Sequence, residues 1–255
     1  MKPGLKEAFA ERWNKYFPNA DLPITFFYTK NPGEIPRPAS VEGRRCLIND
    51  LEPITQGQSL YFDAKSVICP GGKRYLGFTQ KLMPNFEYFL SCGIPGKMEG
   101  ERYKKTPELV RKQFKTASVP PAPAKNIVFK RWDNLEAKDQ PQAVIFFAQP
   151  DVLSGLFTLA NYDEPRNDAV FCPMGAGCAT IVEYPLTESR TKKPRAVLGM
   201  FDVSARPYVP KETLTFSLPI KKFKIMVDDM EESFLITPSW AKVRKRIKGP
   251  EAPIE

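Results

Sequence analysis

The run Ala143-Val144-Ile145-Phe146-Phe147-Ala148 limits the fold more than any other stretch of the chain. It is apolar at every position, so an extended segment here has two faces that both need covering, as in a strand buried between layers. A helix pattern follows from Asp151 to Tyr162, with Val152, Leu156, Leu159 and Ala160 on its apolar side. Pro23 to Tyr28 has the same character as the first run. Ser59 to Phe62, Asn126 to Lys130, Ala196 to Phe201 and Leu214 to Pro219 supply further strands. Leu5, Phe9, Trp13 and Phe17 recur at four-residue spacing and predict an opening helix. Pro107 to Thr116, with Thr106 as its N-cap, and Phe223 to Phe234 predict others, Arg44 to Leu51 predicts a helix carrying Cys46, and Tyr75 to Phe78 continues a helix that follows Cys69. Buried strands alternating with helices place the chain in the α/β or α+β class, a mixed sheet covered by helices.

The order strand, proline, helix, loop, Cys-Pro-x-Gly, helix occurs twice. A single domain over residues 1–238 is therefore expected, with two similar halves at about 1–91 and 126–238. The proline- and lysine-rich stretch 92–125 joins them, with only the helix in its middle ordered. Residues 239–255 form a basic C-terminal helix and tail. Trp240, Val243 and Ile247 mark the docked face of that helix, and Lys242, Arg244, Lys245, Arg246 and Lys248 its solvated one. Net charge is +9. Its concentration on this helix is explained by solvation, which does not favour nucleic acid as a partner. No run has the length of a transmembrane segment, and Met1 to Phe17 is amphipathic and charged rather than leader-like. A soluble, cytoplasmic protein is expected, and its five cysteines then read as thiols or ligands instead of a disulfide framework.

The chain has no histidine. That removes Ser-His-Asp and Cys-His catalysis, histidine-ligated zinc and haem, and the usual proton shuttle. Attention falls on two turns, Cys69-Pro70-Gly71-Gly72 and Cys172-Pro173-Met174-Gly175-Ala176-Gly177-Cys178, the second leading into the apolar run Ala179 to Tyr184. A residue before proline is driven to extended conformations, and proline suits the first position of a helix. Cys69 and Cys172 are thus expected at helix N-caps, where free N–H groups and the dipole favour a thiolate. A lone cysteine most often only fills a core; two matching turns argue for a thiol site.

Cys46 in its helix, Cys69-Pro70-Gly71-Gly72 followed by Leu76-Gly77-Phe78, Gly175-Ala176-Gly177-Cys178, and Leu198-Gly199-Met200-Phe201-Asp202 with Arg206 together resemble the domain of unknown function 169 family. That is a prokaryotic family, mostly uncharacterised. The resemblance spans roughly residues 3–235 and implies a single domain built around Cys46, Cys69 and Cys178. The label brings no activity.

Three chemistries are compatible with these residues. The first is a thiolate-ligated metal, foremost an iron–sulfur cluster, held by Cys46, Cys69 and Cys178 with Cys172 or an external ligand as the fourth. The second is a metal-free pocket for a small anion, phosphate or carboxylate. There Gly71, Gly72, Gly175 and Gly177 would supply N–H groups and Arg206 a charge, with Lys73 or Arg74 in support and Asp202 as the partner of Arg206. The third is a redox or nucleophilic thiol at Cys178 or Cys69, including a Cys172–Cys178 disulfide. Implied partners are a small anionic ligand or a redox partner, and whether the protein is an enzyme stays open.

Overall fold

The computed structural model describes residues 4–39, 46–116 and 118–249. Its frame is one seven-stranded sheet in the order β2-β3-β1-β4-β7-β6-β5. The strands are β1 (Ile24–Thr29), β2 (Leu60–Asp63), β3 (Asn126–Arg131), β4 (Ala143–Ala148), β5 (Val170–Phe171), β6 (Ala196–Gly199) and β7 (Leu214–Pro219). All neighbours are antiparallel except β5 and β6, so the sheet is mixed. β1 lies between β3 and β4, which threads a strand of the first half among strands of the second.

The all-apolar run is β4, and its alternation divides the core. Val144, Phe146 and Ala148 enter one apolar cluster, while Ala143, Ile145 and Phe147 face the other. On the first side pack α1 (Leu5–Tyr16), α7 (Pro150–Ala160), α9 (Ile220–Asp229) and α10 (Pro238–Lys248), each contributing buried apolar residues. The four-residue aromatic stripe of α1 does what its spacing requires. Phe9 meets Trp132 and Phe223 edge-on at 5.1 and 4.9 Å, and Trp13 stacks on Phe17 at 4.3 Å. Trp240 is buried with Val243 and Ile247 packed beside the same cluster, so α10 docks by the face its sequence marks. Residues 250–255 of the basic tail lie outside the described residues.

On the opposite side, α2 (Leu47–Asp50), α3 (Glu52–Thr55), α4 (Pro70–Tyr75) and a five-residue π-helical turn (Ala179–Glu183) cover the sheet, and α8 (Tyr184–Glu188) continues that turn. Three expectations change here. The helix with Cys46 begins at Leu47; Arg44 and Arg45 lie outside the described residues. The helix after Cys69 stops at Tyr75 instead of running to Phe78, because Gly77 turns left-handed at φ +76°. Backbone of Pro120 and Ala122 lies against Gly77, where a Cβ would come within 2.6 Å. The helix expected over Phe223 to Phe234 starts at Ile220 and ends at Asp229.

The connecting stretch is also more ordered than its composition suggests. Besides α5 (Phe86–Phe89) just before it and α6 (Pro107–Thr116), it forms a bridge between Ile94 and Met98. The Glu101 and Arg102 N–H groups donate to Phe89 and Ser91 carbonyls, and Ala122 N–H donates to Gly77. These bonds fold it back onto the domain.

Candidate functional site

Three cysteines stand at the starts of three short helices on the same side of the sheet. Cys46 is the N-cap of α2, Cys69 of α4 and Cys178 of the π-helical turn. Cys69 behaves as the Cys-Pro argument requires: it is extended, Pro70 opens the helix, and its Sγ accepts the Gly72 N–H at 3.4 Å. Gly72 has no room for a side chain, since a Cβ would lie 2.9 Å from Val67 and 3.3 Å from Leu47. That close approach joins α4 to the start of α2 and brings Cys69 toward Cys46.

The second turn differs from its expectation. Cys172 caps no helix. Val170-Phe171 forms the short strand β5, and residues 172–176 run on without helix, which begins at Gly177. Cys178, six residues later, stands instead in the first turn of the helix, at the entry to its π-helical stretch. Two contacts place it there. Gly177 sits where a Cβ would meet Ala205, Ile48 and Met200 at 3.0–3.2 Å, and its N–H donates to Asp202 Oδ2 at 3.0 Å. The turn itself lies directly on β6, since a Cβ at Gly199 would fall within 2.5 Å of Thr180. Thr180 O accepts Ser217 Oγ–H from β7. Tyr184 N–H reaches back five residues to Ala179, which makes the turn π-helical, a local widening often found at functional sites.

The thiols of Cys46, Cys69 and Cys178 are within electrostatic reach of one another. Burial pushes the Cys178 thiol well above the ordinary range, and the nearby Cys69, Cys46 and Asp202 add to it. Burial, then the Cys69 thiol, raises Cys46 as well. Cys172 is exposed, and its thiol is raised by desolvation alone. Cys92 is exposed too, and all five cysteines are free thiols, so Cys172 and Cys178 are not joined. Among the described residues, no three cysteine, aspartate or glutamate side chains are gathered tightly enough to surround a single metal ion.

Asp202 is buried at the edge of this group and fully engaged. Besides Gly177 N–H it accepts Ser204 Oγ–H at 2.8 Å and Tyr103 O–H at 3.3 Å. Arg206 is not its side-chain partner. That guanidinium donates to the carbonyls of Thr213, Pro210 and Lys211, clamping the loop before β7. The remaining glycines have steric duties: Gly71 faces the Tyr75 ring and Gly175 the Tyr184 ring. Tyr103 was not legible, because it comes from the proline- and lysine-rich connection with no local pattern around it. Glu183 did carry a signal, a lone acid within the apolar run Ala179 to Tyr184.

An α/β protein with a mixed sheet and three helix-capping thiols on one of its faces is the class these observations define. The profile of the domain of unknown function 169 family, described as "Uncharacterised ArCR", matches residues 19–229, and the chain belongs to that family. No curated protein and no solved structure matches it. Among the described residues, no helix is long and apolar enough to cross a membrane.

Proposed function

We propose that this protein binds an iron–sulfur cluster, or a comparable thiolate-held metal centre, through Cys46, Cys69 and Cys178. The observation that carries this reading is the meeting of three free thiols from three separate chain segments at three helix starts. Thiolates select zinc, Cu(I) and iron–sulfur clusters, so the donor set fits. When bound, such a group supplies electron transfer or a Lewis-acidic iron.

The chain's own part is to make three thiolates tolerable together. Burial and mutual repulsion hold Cys46 and Cys178 protonated in the metal-free protein; a cation offsets both terms, and binding releases the protons. Helix starts and the Gly72 N–H stabilise negative charge on sulfur. Cys172, exposed and outside the group, is not assigned as the fourth ligand, and that position falls to a non-cysteine donor. A site of this kind needs a reducing compartment, which supports a cytoplasmic location, and a redox partner.

The anion reading based on glycine N–H groups and Arg206 has less support. The Gly72 N–H is held by Cys69, the Gly177 N–H by Asp202, and Arg206 by three carbonyls. The deciding experiment is anaerobic purification of the untagged protein, with a visible spectrum and analysis for iron, acid-labile sulfide, zinc and copper. A brown protein that bleaches with dithionite is expected. Protein that stays colourless and metal-free after anaerobic reconstitution with iron and sulfide would overturn the proposal.

A further inference from the structure

Beside the thiols lies a second group of polar side chains with no part in holding them. Glu183 closes the π-helical turn and Tyr184 follows it, while Arg74 and Tyr75 come from the end of α4. Tyr75 is within electrostatic reach of Cys178, Glu183, Arg74 and Tyr184, and Glu183 is within reach of Arg74. Gly71 and Gly175 bring bare backbone against the two tyrosine rings; a Cβ at Gly175 would stand 3.2 Å from the Tyr184 hydroxyl.

These groups are close but not bonded to each other. Arg74 donates one Nη1–H to Gln80 O and rests over the Phe114 ring at 5.8 Å, and its buried Nε has no acceptor. Among the described residues, neither the Glu183 carboxyl nor the hydroxyls of Tyr75 and Tyr184 has a protein hydrogen-bond partner, and Arg74 and Glu183 form no ion pair. A cation held in place without a carboxylate, next to two hydroxyl donors without acceptors, is a set of groups that an anion's oxygens satisfy.

We propose that Arg74, Tyr75, Glu183 and Tyr184 form a binding site for a small oxyanion, a carboxylate or sulfate-type group, adjoining the three thiols. The site stands whether or not the thiols hold metal; that it sets its ligand beside a cluster rests on the reading above. Glu183 sets the condition for occupancy. Burial raises its carboxyl to about 7, with Arg74 acting in the opposite direction. Protonated, it adds a donor to the set; ionised, it repels the ligand. Binding therefore takes up a proton at Glu183, and affinity falls as pH rises through this value.

The test uses the metal-free full chain and isothermal titration with acetate and with sulfate, whose charges are constant from about pH 6 to about pH 8. At least one should bind, and one proton taken up at Glu183 makes its affinity about tenfold lower at the higher pH. Glu183→Gln keeps a donor and should bind with no pH dependence. Tyr184→Phe and Tyr75→Phe should each weaken binding at both pH values, with thermal melts confirming that both remain folded. Binding of neither anion overturns the proposal, as does unchanged binding in both tyrosine variants or an unchanged pH dependence in Glu183→Gln. Metal content is read separately on reconstituted protein, so failure here leaves the thiol reading standing, and the reverse.

Discussion

Cys69-Pro70 and Cys172-Pro173 share a dipeptide, a following glycine and a preceding apolar strand or loop, and they end differently. At Cys69 the helix begins at once, the sulfur caps it, and the thiol joins two others. At Cys172 the chain, having paired briefly with β6, continues in the open and starts its helix only at Gly177. Proline permits a helix start without requiring one. What decides is where the adjacent glycine is pressed. Gly72 is packed on Val67 and Leu47 immediately behind Cys69, whereas Gly177, directly before Cys178, is packed on Ala205, Ile48 and Met200 and tied to Asp202. The tightly held glycine marks the cysteine that joins the group of thiols in each turn, and the Cys-Pro dipeptide does not.

The sharpest way to break this comparison is to delete each cysteine. Cys69→Ala, like Cys46→Ala or Cys178→Ala, should abolish bound iron and sulfide after reconstitution, while Cys172→Ala should retain the full content; iron loss in Cys172→Ala would return that residue to the ligand set.

A smaller effect separates the helices that follow. The turn after Cys178 ends in Glu183, whereas α4, PGGKRY, carries no carboxylate. The folded protein keeps the Glu183 proton to about pH 7, and the unfolded chain releases it near the ordinary value of 4.5. Folding binds a proton in that window, so the contribution of Glu183 to stability is fullest below 4.5 and declines as pH rises to about 7, by at most on the order of 3 kcal/mol. Across this range the urea midpoint of the natural protein should fall relative to that of Glu183→Gln.

The smallest contrast lies within the second turn. Gly177→Ala forces a methyl among three packed side chains and should cost about 1–3 kcal/mol. Gly175→Ala meets only the far edge of the Tyr184 ring, which can swing aside, and should cost below about 1 kcal/mol. Equal denaturation midpoints for the two variants would show that the glycine packing does not discriminate between them.

The sequence by itself determined the layers. The apolar run of β4 required cover on both faces, and its alternate residues enter two separate clusters. The aromatic stripe of α1 and the apolar face of α10 found the partners their periodicity called for, because burial of a regular face depends on local spacing. The cysteines of the site were legible through family likeness and composition, and Cys69 through its helix-start chemistry. Only the tertiary structure decided that Cys172 stands apart, that Arg206 serves carbonyls instead of Asp202, that Tyr103 bonds Asp202, and that Glu183 lies near Arg74 and Tyr75. Those outcomes depend on contacts between residues as far apart as Tyr103 and Asp202, or Gly177 and Ile48. Packing of that kind is fixed by which surfaces meet across the sheet, and no local pattern in the chain records it.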